Sequence, residues 1–105
     1  MYQLIYISSS TKNLAREEFL ELVAQSQLKN DAMGITGVLM FKDGNFMQVL
    51  EGEQELIAKL YSAIKVDPRH TLVSIIQEGP ISLREYQGWS STYFNSDEGQ
   101  YEVIC

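Results

Sequence analysis

Apolar and polar positions alternate most clearly between residues 34 and 53. Two apolar runs, Gly34 to Phe41 and Phe46 to Gly52, flank Lys42-Asp43-Gly44-Asn45. Asp-Gly accepts the positive φ of a tight turn, so this pattern predicts two antiparallel strands joined as a hairpin. In the second strand Phe46, Gln48 and Leu50 share one face, and Met47, Val49 and Glu51 the other. An amide between two large apolar neighbours costs roughly 1–3 kcal/mol if it is buried unbonded. That singles out Gln48. A core glutamine bonded to the chain satisfies the pattern as well as a binding residue does.

The rest of the chain follows the same two periods. Tyr2 to Ser8 is rich in aromatic and β-branched residues and predicts a strand with Tyr2, Leu4 and Tyr6 on one face. Ser8 to Asn13 reads as a polar connection, with Asn13 as the expected N-cap and Glu17 and Glu18 near the positive end of a helix. Ala15, Phe19, Leu22, Val23 and Ser26 give that helix a buried stripe. One further turn brings Asn30 to the core side, at a helix end where asparagine also serves as a C-terminal cap. Gln54 to Val66 predicts a second helix through Ile57, Leu60, Tyr61 and Ile64, stopped by Asp67-Pro68. Arg69 and His70 follow, with Lys65 a turn back; such a cluster can also simply complement a helix terminus. Thr71 to Gln77 reads as an interior strand broken by Gly79-Pro80. Trp89 to Phe94 is a last extended piece with Trp89, Ser91 and Tyr93 on one side.

This order predicts an α+β domain with the ferredoxin-like split βαββαβ plan, an extra C-terminal strand, and two helices on one face of a mixed sheet. The first and third strands are then adjacent, antiparallel and central. Tyr6 and Gln48 then lie on neighbouring strands and can touch if both face the helices, and Asn30 arrives from a helix covering the same face. A phenol and two amides converging in an apolar pocket suit a flat heterocycle with donors and acceptors at its edge. Met47 and Val49 point the other way and predict an apolar patch on the free face.

Composition narrows the classes. At 105 residues the chain is one domain with room for a core. A net charge of −6, with no basic stripe, argues against nucleic acid or an anionic membrane as partner. No apolar run has the length of a membrane span, and the start lacks a signal-peptide plan, so the cytoplasm is the expected location. The single cysteine, Cys105, excludes a disulfide framework and a multi-cysteine metal centre, and no metal is expected. Asn95 to Gln100 reads as linker or tail.

Four stretches carry a resemblance: Leu4-Ile5-Tyr6-Ile7-Ser8; Asn30 followed by Gly34-Ile35-Thr36-Gly37-Val38-Leu39; Phe46-Met47-Gln48-Val49-Leu50-Glu51-Gly52-Glu53; and Asp67-Pro68-Arg69-His70. In this order and spacing the chain resembles the BLUF family of FAD-binding blue-light sensors, from residue 1 to about residue 95. The resemblance implies a photosensory domain over 1–95, with 96–105 a tail or the start of a missing C-terminal cap or effector linker. It implies a photosensor, with any catalysis in a separate effector. Tyr6 would donate an electron and proton to the excited flavin, and Gln48 would bridge Tyr6 and the flavin and rearrange its hydrogen bonds. Asn30 would hold the pyrimidine edge. Asp67, Arg69 and His70 would lie at the ribityl and phosphate end, and Trp89 and Ser91 would relay the signal through the last strand. FAD is the expected cofactor, FMN a possible one, and a second copy or an effector the expected protein partner.

Two departures from the family pattern stand out. Members commonly carry methionine two residues after the tryptophan of the last strand, where this chain has Ser91. Members also usually have helices after the core covering the free face, or an effector domain, so here that face is expected to meet a missing segment or a partner chain. Two other readings compete: an acylphosphatase-like small hydrolase on the same topology, and a light-inactive interaction module. The first lacks an arginine in the Ser8-Ser9-Ser10-Thr11-Lys12 loop, and the second leaves an intact Tyr6, Asn30 and Gln48 without a purpose.

Overall fold

The computed structural model describes residues 1–12, 14–95 and 99–104. Its elements are β1 (Tyr2–Ser10), α1 (Arg16–Ala32), β2 (Thr36–Lys42), β3 (Asn45–Gly52), α2 (Gln54–Lys65), β4 (His70–Pro80), β5 (Trp89–Asn95) and β6 (Gln100–Ile104). The six strands form one sheet in the order β4-β1-β3-β2-β5-β6. β1 is antiparallel to both β3 and β4, β2 to β3, and β5 runs parallel to β2. This is the ferredoxin-like arrangement with strands added beyond β2.

The hairpin turns where the sequence places it. Asp43 and Gly44 take φ of 50° and 80°, the pair of positive values a two-residue primed turn requires. Lys42 then lies opposite Asn45, and the register carries Leu39 opposite Gln48. Opposed residues share a sheet face, so Gln48, Leu39, Tyr6 and Ser91 all lie on one side. Both helices cover that side: α2 over β1, β3 and β4, α1 over β5 and β2. Leu4, Phe19, Leu22, Phe41, Phe46, Leu50, Ile57 and Trp89 fill the layer between.

Several local expectations are corrected. The N-cap assigned to Asn13 lies outside the described residues; the described helix starts at Arg16, and its cap position is Ala15, whose N–H donates to Glu18 Oε1 at 3.1 Å. Ala15 is therefore exposed at the cap rather than part of the buried stripe, which runs through Phe19, Leu22, Val23 and Asn30. β4 is an edge strand, with Ile76 53% exposed, and it continues through Gly79-Pro80. An edge tolerates proline because one side of the strand makes no ladder bonds. Within 96–105, read as tail or linker, Gln100–Ile104 pairs with β5, and Arg16 clasps Glu102 with Nε at 2.9 Å from both carboxylate oxygens. On the free face Met47 is exposed as the alternation predicts, whereas Val49 is buried.

Candidate functional site

β1 and β3 bring Tyr6 and Gln48 opposite each other. Both are buried, and the Tyr6 phenol donates to Gln48 Oε1. Burial pushes the phenol far above its ordinary pKa, and the negative charge of Asp67 and the neighbouring Tyr61 push the same way. The ring is fixed by Tyr61 at 5.8 Å and edge-on by His70 at 6.4 Å. Tyr6 therefore keeps its proton at neutral pH and aims it at an amide oxygen.

Asn30 belongs to the last turn of α1 but is not its cap. The cap residue is Met33, and the Asn30 backbone carbonyl takes the N–H groups of Met33 at 3.1 Å and Ile35 at 2.9 Å. The side chain is left for the core: it is buried, and Nδ2 has no hydrogen-bond partner among the described residues. An orphaned buried donor costs about 1–3 kcal/mol. It faces a cleft between α1 and α2 whose floor is Tyr6, Gln48 and Leu39 and whose walls include Leu22, Leu60 and Ile64. A planar ring with an acceptor at its edge fits these groups: apolar walls for its faces, and Asn30 Nδ2 and the Gln48 amide for its edge.

Asp67, Arg69 and His70 line the same cleft. Arg69 chelates Asp67, with Nε 3.0 Å from Oδ1 and NH2 2.6 Å from Oδ2, and this pairing holds the Asp67 carboxyl below its usual range. Arg69 NH1 also reaches Gln25 Oε1 at 3.3 Å. His70 Nδ1 lies 2.9 Å from Ser8 Oγ, and the ring packs 4.6 Å from Phe46. Burial lowers the His70 pKa, against the opposing pull of Asp67, so the imidazole is neutral at pH 7. Lys65 takes no part, lying instead 5.8 Å over Tyr61. Gln25, Ser26 and Lys29 also line the cleft; of these the sequence pattern marks Ser26 alone, and only as part of the buried stripe. Ser26 precedes Asn30 by four residues, so helical spacing from Asn30 was the signal available.

Trp89 and Ser91 are buried on the helix-covered face, opposite Gly37 and Leu39, but neither lines the cleft. Trp89 Nε1, like Asn30 Nδ2, has no partner among the described residues. No group of three or more acidic, histidine or cysteine side chains among the described residues could hold a metal ion.

Residues 1–92 match the family model described as BLUF, sensors of blue-light using FAD. The chain belongs to the BLUF family. It is a flavin-binding blue-light sensor domain, and several of its relatives are named as light-regulated adenylate cyclases. The photoactivated adenylate cyclase subunit beta of Euglena longa is 36% identical over 90 residues, which are 85% of this chain and 10% of that protein. A bacterial light-regulated adenylyl cyclase superposes with a TM-score of 0.85 at 35% identity, covering 90% of this chain and 28% of that one. BlrP1 of Klebsiella pneumoniae, solved with FMN and cyclic diGMP, gives 0.76 at 36% identity, covering 83% of this chain and 23% of its own. This BLUF domain thus spans about a tenth of the length of the curated relative and under a third of those two structures. No described helix is long and apolar enough to cross a membrane.

Proposed function

We propose that Tyr6 and Gln48 are the photochemical switch of this sensor and that Asn30, Asp67, Arg69 and His70 hold its flavin. The observation that carries the reading is the buried Tyr6 phenol donating to Gln48 Oε1 in the cleft floor. When bound, the flavin absorbs blue light and becomes a strong oxidant. Tyr6 is the oxidisable group in the cleft floor, and loss of an electron makes its phenolic proton strongly acidic. The existing hydrogen bond gives that proton a path to Gln48 Oε1. An amide carries a donor end and an acceptor end, so turning or tautomerising Gln48 exchanges what it presents to the cleft. In a dry site such an exchange is felt strongly. Asn30 Nδ2 supplies a donor for a ring carbonyl, and the Arg69 cation suits the phosphate end. FAD is the expected cofactor, with FMN able to use the same ring contacts.

Residues 1–95 contain every group of this site, and 96–105, which includes β6, is where an output segment would connect. Trp89 and Ser91 on β5 are the relay in this reading. The adenylyl cyclase relatives suggest a nucleotide-cyclising effector as one output. A cytoplasmic location fits an acidic domain without a described spanning helix.

The test is reconstitution with FAD followed by absorption spectra before and after blue light. The protein should hold flavin without a covalent bond and shift its blue band to the red, reversibly in the dark. Failure to retain flavin would overturn the reading.

Self-association is a second element. Ile7, Met47, Leu72 and Tyr101 surround a hollow on the face away from the helices, where Leu72 is 79% exposed. Light scattering at high concentration should report a mass above 12.0 kDa. A single species of that mass would count against it.

A further inference from the structure

Glu51 is a buried acidic side chain outside the site proposed above. It lies on β3, three residues beyond Gln48 and on the opposite face, and it is fully buried. Three N–H donors among the described residues reach its carboxylate. Gln3 Nε2 on β1 reaches Oε2 at 2.8 Å; Glu85 N reaches Oε1 at 2.9 Å and Oε2 at 3.2 Å; Tyr86 N reaches Oε1 at 2.9 Å. The last two belong to the connection between β4 and β5.

That connection has far to go. β4 is at one edge of the sheet and β5 lies beyond β2, so residues 81–88 cross β1, β3 and β2 on the face without helices. Four strand spacings are about 19 Å, and the connection reaches about 30 Å fully extended. It is moored along its whole length. Ile81 N bonds Met1 O at 3.0 Å, and Gly37 N bonds Gly88 O at 3.0 Å. Between them Arg84 spreads its guanidinium over Thr36 Oγ1 at 2.7 Å, Glu51 O at 2.9 Å and Gly34 O at 2.9 Å. The next residue after Gly88 is Trp89. The strand that carries Gln48 is thus tied, through Glu51 and across the back of the sheet, to the residue from which β5 starts.

We infer that Glu51 and Arg84 are positioning residues for β5: they fix Trp89 and Ser91 relative to Gln48 and thereby set how long the lit state lasts. The dependence on light rests on the flavin reading above; the placement of Trp89 does not. Because Trp89 is the single tryptophan, its emission reports that placement directly in flavin-free protein. Glu51→Met keeps the length of the side chain and removes every acceptor. It should raise acrylamide quenching of Trp89 about twofold or more, as for a side chain gaining solvent by local opening, and move its emission to the red. Glu51→Gln should leave Trp89 in place, since one amide oxygen can still take both loop N–H groups while Gln3 turns its own amide to match. If Glu51→Met does not fold, Arg84→Met, which cuts the strap at its outer side, carries the same expectation. Gln3→Met serves as the control on β1: it removes one donor and leaves the strap attached, so Trp89 should not move.

In flavin-loaded protein Glu51→Met or Arg84→Met should keep the size of the red shift while dark recovery changes about threefold or more. Unchanged Trp89 emission and quenching in folded Glu51→Met and Arg84→Met protein overturns the inference. So does an equal displacement of Trp89 by Gln3→Met, which would mark general loosening, and so does an unchanged recovery rate alongside a displaced Trp89. If no variant and no parent binds flavin, the fluorescence measurements decide alone.

Discussion

Tyr6→Phe should keep its flavin and lose the light-induced red shift entirely. The substitution removes one oxygen from a buried ring and leaves the packing against Tyr61 and His70 in place. What disappears is the proton that points at Gln48 Oε1 and the easily oxidised phenol that carries it. The Gln48 oxygen loses its donor, so stability should fall by about 1–3 kcal/mol, the cost of an unmet buried acceptor. Gln48→Ala should also abolish the shift, because the group proposed to change its hydrogen bonds is gone. Asn30→Ala should act on affinity instead, weakening flavin binding by roughly tenfold to a hundredfold through the loss of a buried donor. Difference spectra and flavin titration of the three variants separate these outcomes. A normal red shift in Tyr6→Phe would refute the donor role.

Gly37→Ala should be the most damaging change of a single methyl group in the chain. Gly37 has φ of 149°, and a Cβ there would lie 1.8 Å from Val49 O and 2.8 Å from Val49 C. Those atoms are the backbone of β3, which cannot move aside as a flexible side chain could. Relief requires β2 to separate from the strand holding Gln48. The expected loss is roughly 3–5 kcal/mol, a large share of a total near 5–15 kcal/mol. Gly79→Ala is the matched control, because nothing lies within 4 Å of its added methyl. Its stability should stay within about 1 kcal/mol of the parent. Denaturant unfolding of both variants checks the contrast, and equal midpoints would sink the argument from close strand approach.

The same pair of strands explains what could be read in advance. The Asp43-Gly44 turn fixes the register of β2 and β3 by local chemistry, so the faces of Phe46 to Glu51 followed from alternation. The split topology then put Tyr6 and Gln48 on neighbouring strands, helical spacing carried Asn30 to the same side, and the register itself came only with the structure. Edge and centre were harder to tell apart. Leu72 and Ile76 belong to an apolar run that reads as interior, yet they are exposed, because exposure is decided by neighbours far away in sequence. Glu51 broke its strand's apolar pattern as plainly as Gln48 did. Alternation puts it with Met47 and Val49, on the face expected to be free of helices. Only the path of residues 81–88 over the back of the sheet shows it to be covered. Gln100–Ile104 carries too short an apolar signal to announce a strand, and needs β5 and Glu102's clasp on Arg16 to become one.

The order of the strands also grades the molecule by how much must come apart to release each amide. Tyr6 and Gln48 sit on β1 and β3, and each of these has a hydrogen-bonded strand on both sides and helices above. Freeing either strand costs close to the full unfolding energy, whereas β6 can fray for far less. The groups assigned to the light reaction are therefore housed in the last part of the fold to melt. A disturbance begun there has an easier outlet toward the margin of the sheet than through its middle, so a sensor of this design can yield at its rim while its centre stays folded.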